Sequence, residues 1–222
     1  LAGSAVPLTP GGNVYSTGTG GVSVGANLTS NGGDITIENG STGGNLNSLG
    51  GPEGGRVNNV IVDASTPVLG GNGGDIVIAG TAMLIPDGNY SLYVTRALGI
   101  GNSTIKTNGL GTITMSGVSG TDPAYGQGGL AIVNSTISAT NGAITLTGTA
   151  QATSVGGIGG QAFQFDNTTI SSTTGNITLT GISTLPGETP FGSSGATISS
   201  TTGHITIYAQ DAGDGPGTNL SN

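Results

Sequence analysis

Residues able to carry acid–base chemistry are few in this chain and lie far apart. The 222 residues include one histidine, His204, and no cysteine. Glycoside hydrolysis needs two carboxylates at a defined separation, and a lyase needs a basic group beside a metal ion or an arginine. We therefore predict that the protein is not an enzyme, with a polysaccharide-active enzyme as a less favoured alternative. The acidic residues considered as catalytic carboxylates stand singly along the chain: Asp34, Asp63, Asp75, Asp87, Asp122, Asp166 and Glu188.

One stretch has the spacing of a metal site. Residues 70–78 read GGNGGDIVI and match the calcium-binding nonapeptide GGxGxDxUx. Such sites are built from consecutive nine-residue turns, whereas this chain has one copy and a partial echo, NGGDITI, at residues 31–37. Asp75 and Asp34 are therefore the candidate calcium ligands, and residues 211–214 are a second candidate place. No other metal or cofactor is predicted.

The elements that must position these residues form a repeat. Residues 136–148 read TISATNGAITLTG, which alternates apolar and polar side chains on both sides of a glycine. Equivalent isoleucines in consecutive copies are roughly 28 to 41 residues apart, so each copy is one supersecondary unit. Related copies occupy residues 28–40, 73–80, 104–117, 169–181 and 197–207.

Each copy predicts one coil of a parallel β-solenoid. An inward apolar residue such as Ile137 precedes a corner glycine, Gly142, and then an alternating strand that begins at Ile144. Alternation indicates a half-buried strand, and we expect the glycine to supply the positive φ of the corner. Residues 129–133 and 161–165 give a third strand per coil. The fold class is thus all-β, a parallel β-helix of about six to seven coils with three strands per coil. Stacked coils predict two inward columns: Ile137, Ile170 and Ile198 in one, and Ile144, Ile177 and Ile205 in the other.

Polar residues also occupy equivalent places in successive coils. Asn102, Asn134 and Asn167 each stand three residues before the inward isoleucine. Side-chain amides stacked about 4.8 Å apart are expected to form a hydrogen-bonded ladder that locks the register. Outward threonines form rows that suggest ice binding as another alternative, although threonine is also a favourable strand residue. His204 takes the outward position held by Ala143 in a sister coil, so we expect a solvated side chain.

The repeat runs from about residue 28 to residue 209, so we predict a single β-solenoid domain over residues 1–222. Residues 1–25 are expected to form an irregular first coil or a cap, and residues 210–222 an irregular tail without a strand. No amphipathic cap is visible at either end, so open strand edges are expected at both. No methionine or signal peptide starts the chain, and we expect a processed product or a segment of a longer protein.

The charge balance narrows the partners. The chain has 3 basic and 11 acidic residues and a formal net charge of -8. Nucleic-acid binding needs a stripe of lysine and arginine, so no nucleic-acid partner is predicted. An anionic membrane surface would repel the chain, and no run of about 18 apolar residues supports membrane insertion.

Larger side chains concentrate in residues 83–101, which depart from the repeat. This segment is either a wider coil with larger residues inside or an insertion that contacts a partner. A glycan-binding module is therefore the alternative to a structural role. The candidate platforms for stacking a glycan are Tyr90, Tyr93, Tyr125 and Phe191.

With the stretch at 136–148 and its copy at 169–181, the chain resembles the haemagglutinin-type repeats of two-partner-secreted exoproteins, the filamentous haemagglutinin-like adhesins. The resemblance covers residues 100–215 well and residues 26–80 more weakly. It implies a right-handed parallel β-helix, export across a bacterial outer membrane, and adhesion or surface-fibre work. The Asn-Pro-Asn motifs of that family's secretion domain are absent, so the resemblance implies a shaft.

The predicted function is therefore that of a structural or adhesive extracellular protein at the cell surface. It is expected to form the shaft of a haemagglutinin-like adhesin or the protomer of a head-to-tail surface filament. The expected partners are copies of itself joined end to end by self-assembly, or flanking coils of a longer chain. Host or matrix glycans are further candidate partners.

Overall fold

Alternating apolar and polar residues form short strands along the whole chain. The computed structural model describes residues 14–18, 22–39, 55–81, 96–119, 128–151, 161–184, 189–212 and 219–221. Twenty strands and no helix occur in these ranges. In chain order the strands are β1 Val14–Gly18, β2 Val22–Val24, β3 Leu28–Thr29, β4 Ile35–Asn39, β5 Gly55–Asn58, β6 Ile61–Asp63, β7 Ile76–Thr81, β8 Arg96–Gly101, β9 Thr104–Lys106, β10 Ile113–Val118, β11 Gly128–Val133, β12 Thr136–Ala139, β13 Ile144–Ala150, β14 Phe163–Asp166, β15 Thr169–Ser172, β16 Ile177–Ser183, β17 Phe191–Ser194, β18 Thr197–Ser200, β19 Ile205–Gln210 and β20 Asn219–Ser221.

The strands form three parallel sheets. Sheet A has the order β1-β4-β7-β10-β13-β16-β19, sheet B the order β2-β5-β8-β11-β14-β17-β20, and sheet C the order β3-β6-β9-β12-β15-β18. Each coil therefore runs from sheet B through sheet C to sheet A and then enters the next coil. Six such coils, with β1 and β20 at the two ends, confirm the predicted parallel β-helix with three strands per coil. The right-handed sense stays a prediction, in line with the usual hand of parallel crossovers.

Two columns of aliphatic residues fill the core. Ile35, Ile76, Ile113, Ile144 and Ile177 are successive register partners in sheet A and are fully buried. In sheet C the strand register stacks Leu28, Val62, Ile105, Ile137, Ile170 and Ile198. Because every coil supplies one member to each column, each inward side chain is covered by the coils before and after it.

Aromatic side chains widen the core near the end of the chain. Phe163 and Phe191 are register partners in sheet B with ring centroids 5.3 Å apart, and Phe165 lies 5.3 Å from Phe163. All three rings are buried. The prediction that Phe191 is a surface platform for a glycan is therefore wrong, because its side chain faces inward on its strand and packs against two other rings.

A column of glycines stacks at the corner between sheets C and A. Among the described residues these glycines do not have the positive φ that was predicted for them. A Cβ atom added to Gly142 would lie 1.8 Å from the carbonyl oxygen of Gly111, and one added to Gly175 would lie 1.9 Å from that of Gly142. The corner needs glycine because the backbones of successive coils touch there. The column consists of Gly33, Gly74, Gly111, Gly142, Gly175 and Gly203.

Positive φ occurs instead at the corner between sheets B and C. Asn102, Asn134 and Asn167 have φ angles of 47°, 49° and 46°, and Asn59 and Gly195 take the equivalent places with 54° and 63°. Asparagine is among the few residues that enter this left-handed region at moderate cost. The described residues contain no hydrogen bond between these asparagine side chains, so the predicted amide ladder is wrong. The exposed amides stand at a corner, and the backbone conformation explains the choice of asparagine.

The two ends of the chain are more regular than expected. Residues 1–25, predicted to be irregular, include β1 and β2, and the tail, predicted to lack a strand, includes β20. Each of these strands has five residues or fewer, which is too short for a clear alternating pattern. No helix in the described part of the chain is long and apolar enough to cross a membrane.

Candidate functional site

The last coil presents its inner side to solvent. Ile205 and Ile207 of β19 are 43% and 38% exposed, whereas their register partners Ile177 and Leu179 are fully buried. Ile198 of β18 is partly buried, although its partner Ile170 has no exposure. These side chains have the positions of core residues but lack a coil above them. We call Ile198, Ile205 and Ile207 the stacking face.

Open strand edges surround the stacking face. Among the described strands, β19 is outermost in sheet A and β18 is outermost in sheet C, while β20 covers β17 in sheet B. An outermost strand keeps one row of N–H and C=O groups available to another strand. The face therefore offers both apolar side chains and backbone hydrogen-bonding groups, which is what each internal coil offers to the next.

Buried hydroxyls link neighbouring coils beside the asparagine corner. Ser103 Oγ accepts a hydrogen bond from the Val60 N–H at 3.3 Å and donates one to the Gly101 carbonyl at 2.7 Å. One coil further on, Ser135 Oγ accepts from the Ser103 N–H at 3.1 Å and donates to the Val133 carbonyl at 2.8 Å. These serines make the polar ladder that had been expected of the adjacent asparagines. The signal was the hydroxyl residue that follows each of those asparagines in the sequence.

The candidate calcium ligands lie in one column, on neighbouring coils. Asp34 Oδ1 accepts a hydrogen bond from the Asp75 N–H at 2.9 Å, and Asp75 Oδ1 accepts from the Thr112 N–H at 2.8 Å and from its hydroxyl at 2.9 Å. Each carboxylate thus uses one oxygen to bond the next coil. No group of three or more metal-ligating side chains occurs among the residues that the structure describes. Calcium binding at Asp34 and Asp75 stays a prediction, which thermal unfolding with and without Ca²⁺ would test.

His204 belongs to the same column. Its backbone N–H donates to Asn176 Oδ1 at 2.9 Å, and its side chain is exposed. In the next outward column, sheet A stacks Thr114, Thr145 and Thr178 as register partners. The polar side chains of these outer columns therefore serve at least partly to join coils.

One ion pair crosses sheet C. Lys106 Nζ lies 3.0 Å from Asp63 Oδ2, and the two residues are register partners. Burial would raise the pKa of Asp63, but hydrogen bonds from Ser65 and the hydrogen bond and charge of Lys106 outweigh it and leave the pKa below its ordinary value. The Asp63 carboxylate is therefore stabilised in the folded chain.

Long connections between coils share one edge of the solenoid. All of them join the end of a sheet A strand to the start of a sheet B strand, and they range from 7 residues at 184–190 to 15 residues at 40–54. The chain crosses itself closely at this edge: a Cβ on Gly148 would lie 2.0 Å from the Ala162 carbonyl oxygen, and one on Gly117 would lie 2.3 Å from that of Gly129. Tyr90, Tyr93 and Tyr125, the remaining candidate glycan platforms, lie outside the described residues.

Comparison of the chain with protein-family models, with curated proteins and with solved structures gave no match. The resemblance to haemagglutinin-like repeats therefore stays a prediction.

Proposed function

We propose that the protein is a structural element of an extracellular adhesive fibre, in which coils stack end to end into a longer solenoid. It acts either as the shaft of a haemagglutinin-like adhesin or as the protomer of a head-to-tail filament at a bacterial cell surface. The observation that carries this proposal is the stacking face. It repeats, residue type for residue type, the surface that buries Ile170, Ile177 and Leu179 one coil earlier.

The physical reason is that a solenoid coil has no core of its own. Its inward residues are shielded by the coils on both sides, so a terminal coil gains hydrophobic burial and strand pairing when another coil covers it. At the opposite end β1, β2 and β3 are the outermost strands of sheets A, B and C. Parallel pairing of β19 with β1 of a second copy would extend sheet A without a change of strand direction.

The surface composition supports the same role. The chain has 3 basic residues in 222, and its outward columns consist largely of threonine and serine. Cohesion along the axis then comes from backbone ladders and apolar columns, which depend little on ionic strength. A fibre held in this way suits extracellular conditions in which salt varies.

Sedimentation velocity and negative-stain electron microscopy across a concentration series test the proposal. We expect the native chain to form elongated particles that lengthen with concentration. Ile207→Asp places a charge on the stacking face and should abolish this association. Thr206→Asp is the matched control, because Thr206 lies on the same strand with its side chain on the outer face, and it should associate like the native chain.

Circular dichroism of each variant must show the native β signal, since Ile207 is already 38% exposed and tolerates a charge in the single molecule. Short rods of constant length at every concentration would overturn the filament form of the proposal. Association that survives Ile207→Asp but is lost in Thr206→Asp would show that copies meet through the outer face of sheet A.

A further inference from the structure

Two of the three basic residues of the chain line one groove on the outer face of sheet B. Arg56 lies on β5 and Arg96 starts β8, the neighbouring strand. The groove between them encloses about 190 Å³ and is lined also by Asn58, Gly99 and Gly101. In a chain with a net charge of -8, this groove is the place where positive charge gathers on a single sheet.

The strand register explains the shape of the groove. Arg56 pairs with Gly99 and Asn58 with Gly101, and on the far side Gly99 pairs with Ala131. The outward positions of β8 therefore carry no side chains, while β5 carries an arginine and an asparagine on the same face. Glycine within a strand often marks a place where a ligand approaches the backbone closely. The result is a flat floor with polar side chains along one wall.

The two arginines stand at opposite ends of this floor. Arg96 precedes Gly99 by three residues, or about 10 Å along the strand, and Arg56 lies one strand spacing of about 4.8 Å to the side. Their Cα atoms are thus about 11 Å apart. A ligand on the glycine floor would reach both guanidinium groups.

Contacts within sheet B hold the Arg96 side chain in place. It extends over Gly128, where an added Cβ would lie 3.2 Å from Arg96 Nη1, and its Nη2 donates to Gln164 Oε1 two coils further on. Gln164 Nε2 in turn donates to Asp166 Oδ2. Both arginines take part in further polar interactions, and a guanidinium has five N–H donors to share among partners. A held guanidinium loses less side-chain freedom when it binds a ligand.

We propose that this groove binds a uronic-acid unit of an acidic polysaccharide. The carboxylate matches the fork of a guanidinium group, which binds carboxylates through two parallel hydrogen bonds. The Asn58 amide lies over Gly101, 2.7 Å from where a Cβ of that glycine would be, and supplies a donor and an acceptor for sugar hydroxyls. The open, glycine-floored shape suits a sugar ring lying flat. This site is separate from the aromatic residues first considered for glycan binding.

Isothermal titration calorimetry and saturation-transfer NMR with the full chain test the site. The probes are glucuronic acid, glucose as its uncharged analogue, and acetate as the carboxylate alone. We expect glucuronic acid to bind more tightly than either, and its affinity to fall as salt is added. Arg56→Gln and Arg96→Gln should each weaken glucuronic acid binding about tenfold or more, since each removes a charged hydrogen bond.

Lys106→Gln is the matched control, because it removes the same charge from sheet C and leaves the groove intact. We expect it to bind glucuronic acid like the native chain, once circular dichroism shows that all variants are folded. Equal binding of glucose would overturn the role of the carboxylate, and equal binding of acetate would overturn the role of the sugar. Native affinity in both arginine variants, or no binding of glucuronic acid by the native chain, would overturn the site.

Discussion

Replacing Gly142 with alanine tests the contact between successive coils at the glycine corner. The added Cβ would lie 1.8 Å from the Gly111 carbonyl oxygen and 2.5 Å from its carbon, both of which are backbone atoms that cannot rotate away. Folded proteins show almost no such contact below 3.0 Å. The two coils must therefore separate locally by about 1.2 Å, because the interior of the solenoid is close-packed and has no space to absorb the methyl group.

This separation would break the hydrogen bonds that flank the corner. The Asn141 N–H donates to the Gly109 carbonyl at 2.9 Å, and the Ile113 N–H donates to the Ala143 carbonyl at 3.0 Å. Stretched by about 1.2 Å, both bonds exceed the range of a hydrogen bond. Each unpaired backbone group costs about 1–3 kcal/mol, so with partial relaxation we expect a loss of about 3 kcal/mol in the free energy of unfolding. That corresponds to a fall in Tm of about 6–12 °C for a domain of this size.

Thermal unfolding followed by circular dichroism measures this effect. Gly25→Ala is the control, because a Cβ at Gly25 meets no atom within 4 Å and its φ is not positive. That variant should keep its Tm within about 2 °C of the native value. If Gly142→Ala were as stable as Gly25→Ala, the close approach of the coils would not exist and the explanation of the glycine column would be wrong.

Three further predictions concern the corners, the core and the ion pair. Asn134→Ala should cost about 1 kcal/mol in unfolding free energy, whereas Asn134→Gly should be nearly neutral, because only the left-handed φ matters; equal losses in thermal denaturation would restore a role for the amide. Ile177→Ala should cost about 2–5 kcal/mol and Ile205→Ala less than half of that in dilute solution, by urea unfolding; similar costs would mean that the last coil is covered. Asp63 has a lowered pKa, so its contribution to stability is full above its unfolded pKa and is lost as the pH falls through its folded pKa. Asp63→Asn should therefore be less stable than the native chain at neutral pH and equal to it at low pH, and a constant difference would refute the linkage.

The repeat predicts most of the backbone of this protein, because its period controls both strand position and register. The spacing of Ile144, Ile177 and Ile205 placed them in one column, and the strand register has them there. The roles of the corner residues could not be predicted in the same way. A glycine required by a close approach and a glycine required by a positive φ look identical in sequence, as Gly142 and Gly195 show.

The candidate sites divide along the same line. The stacking face follows from the repeat itself, since any last member of an inward column must lack a cover. The groove on sheet B depends on which residues stand opposite one another across strands. Arg56 and Gly99 are 43 positions apart, and only the register shows that they are neighbours. Phe191 was misplaced for a related reason, because a strand with one phenylalanine does not reveal which of its faces is inward.

The three corners of the coil differ in how much change they allow, and this difference indicates where function can vary. The corner between sheets B and C has two residues in every coil from β5 onward, fixed by a left-handed residue and its neighbour. Stacked glycines restrict the corner between sheets C and A. Only the edge between sheets A and B accepts connections of 7 to 15 residues throughout. The groove begins at Arg96, the first residue of β8, immediately after one of these connections. A binding site there can change with the neighbouring connection while the inward columns, and with them the fibre, stay the same.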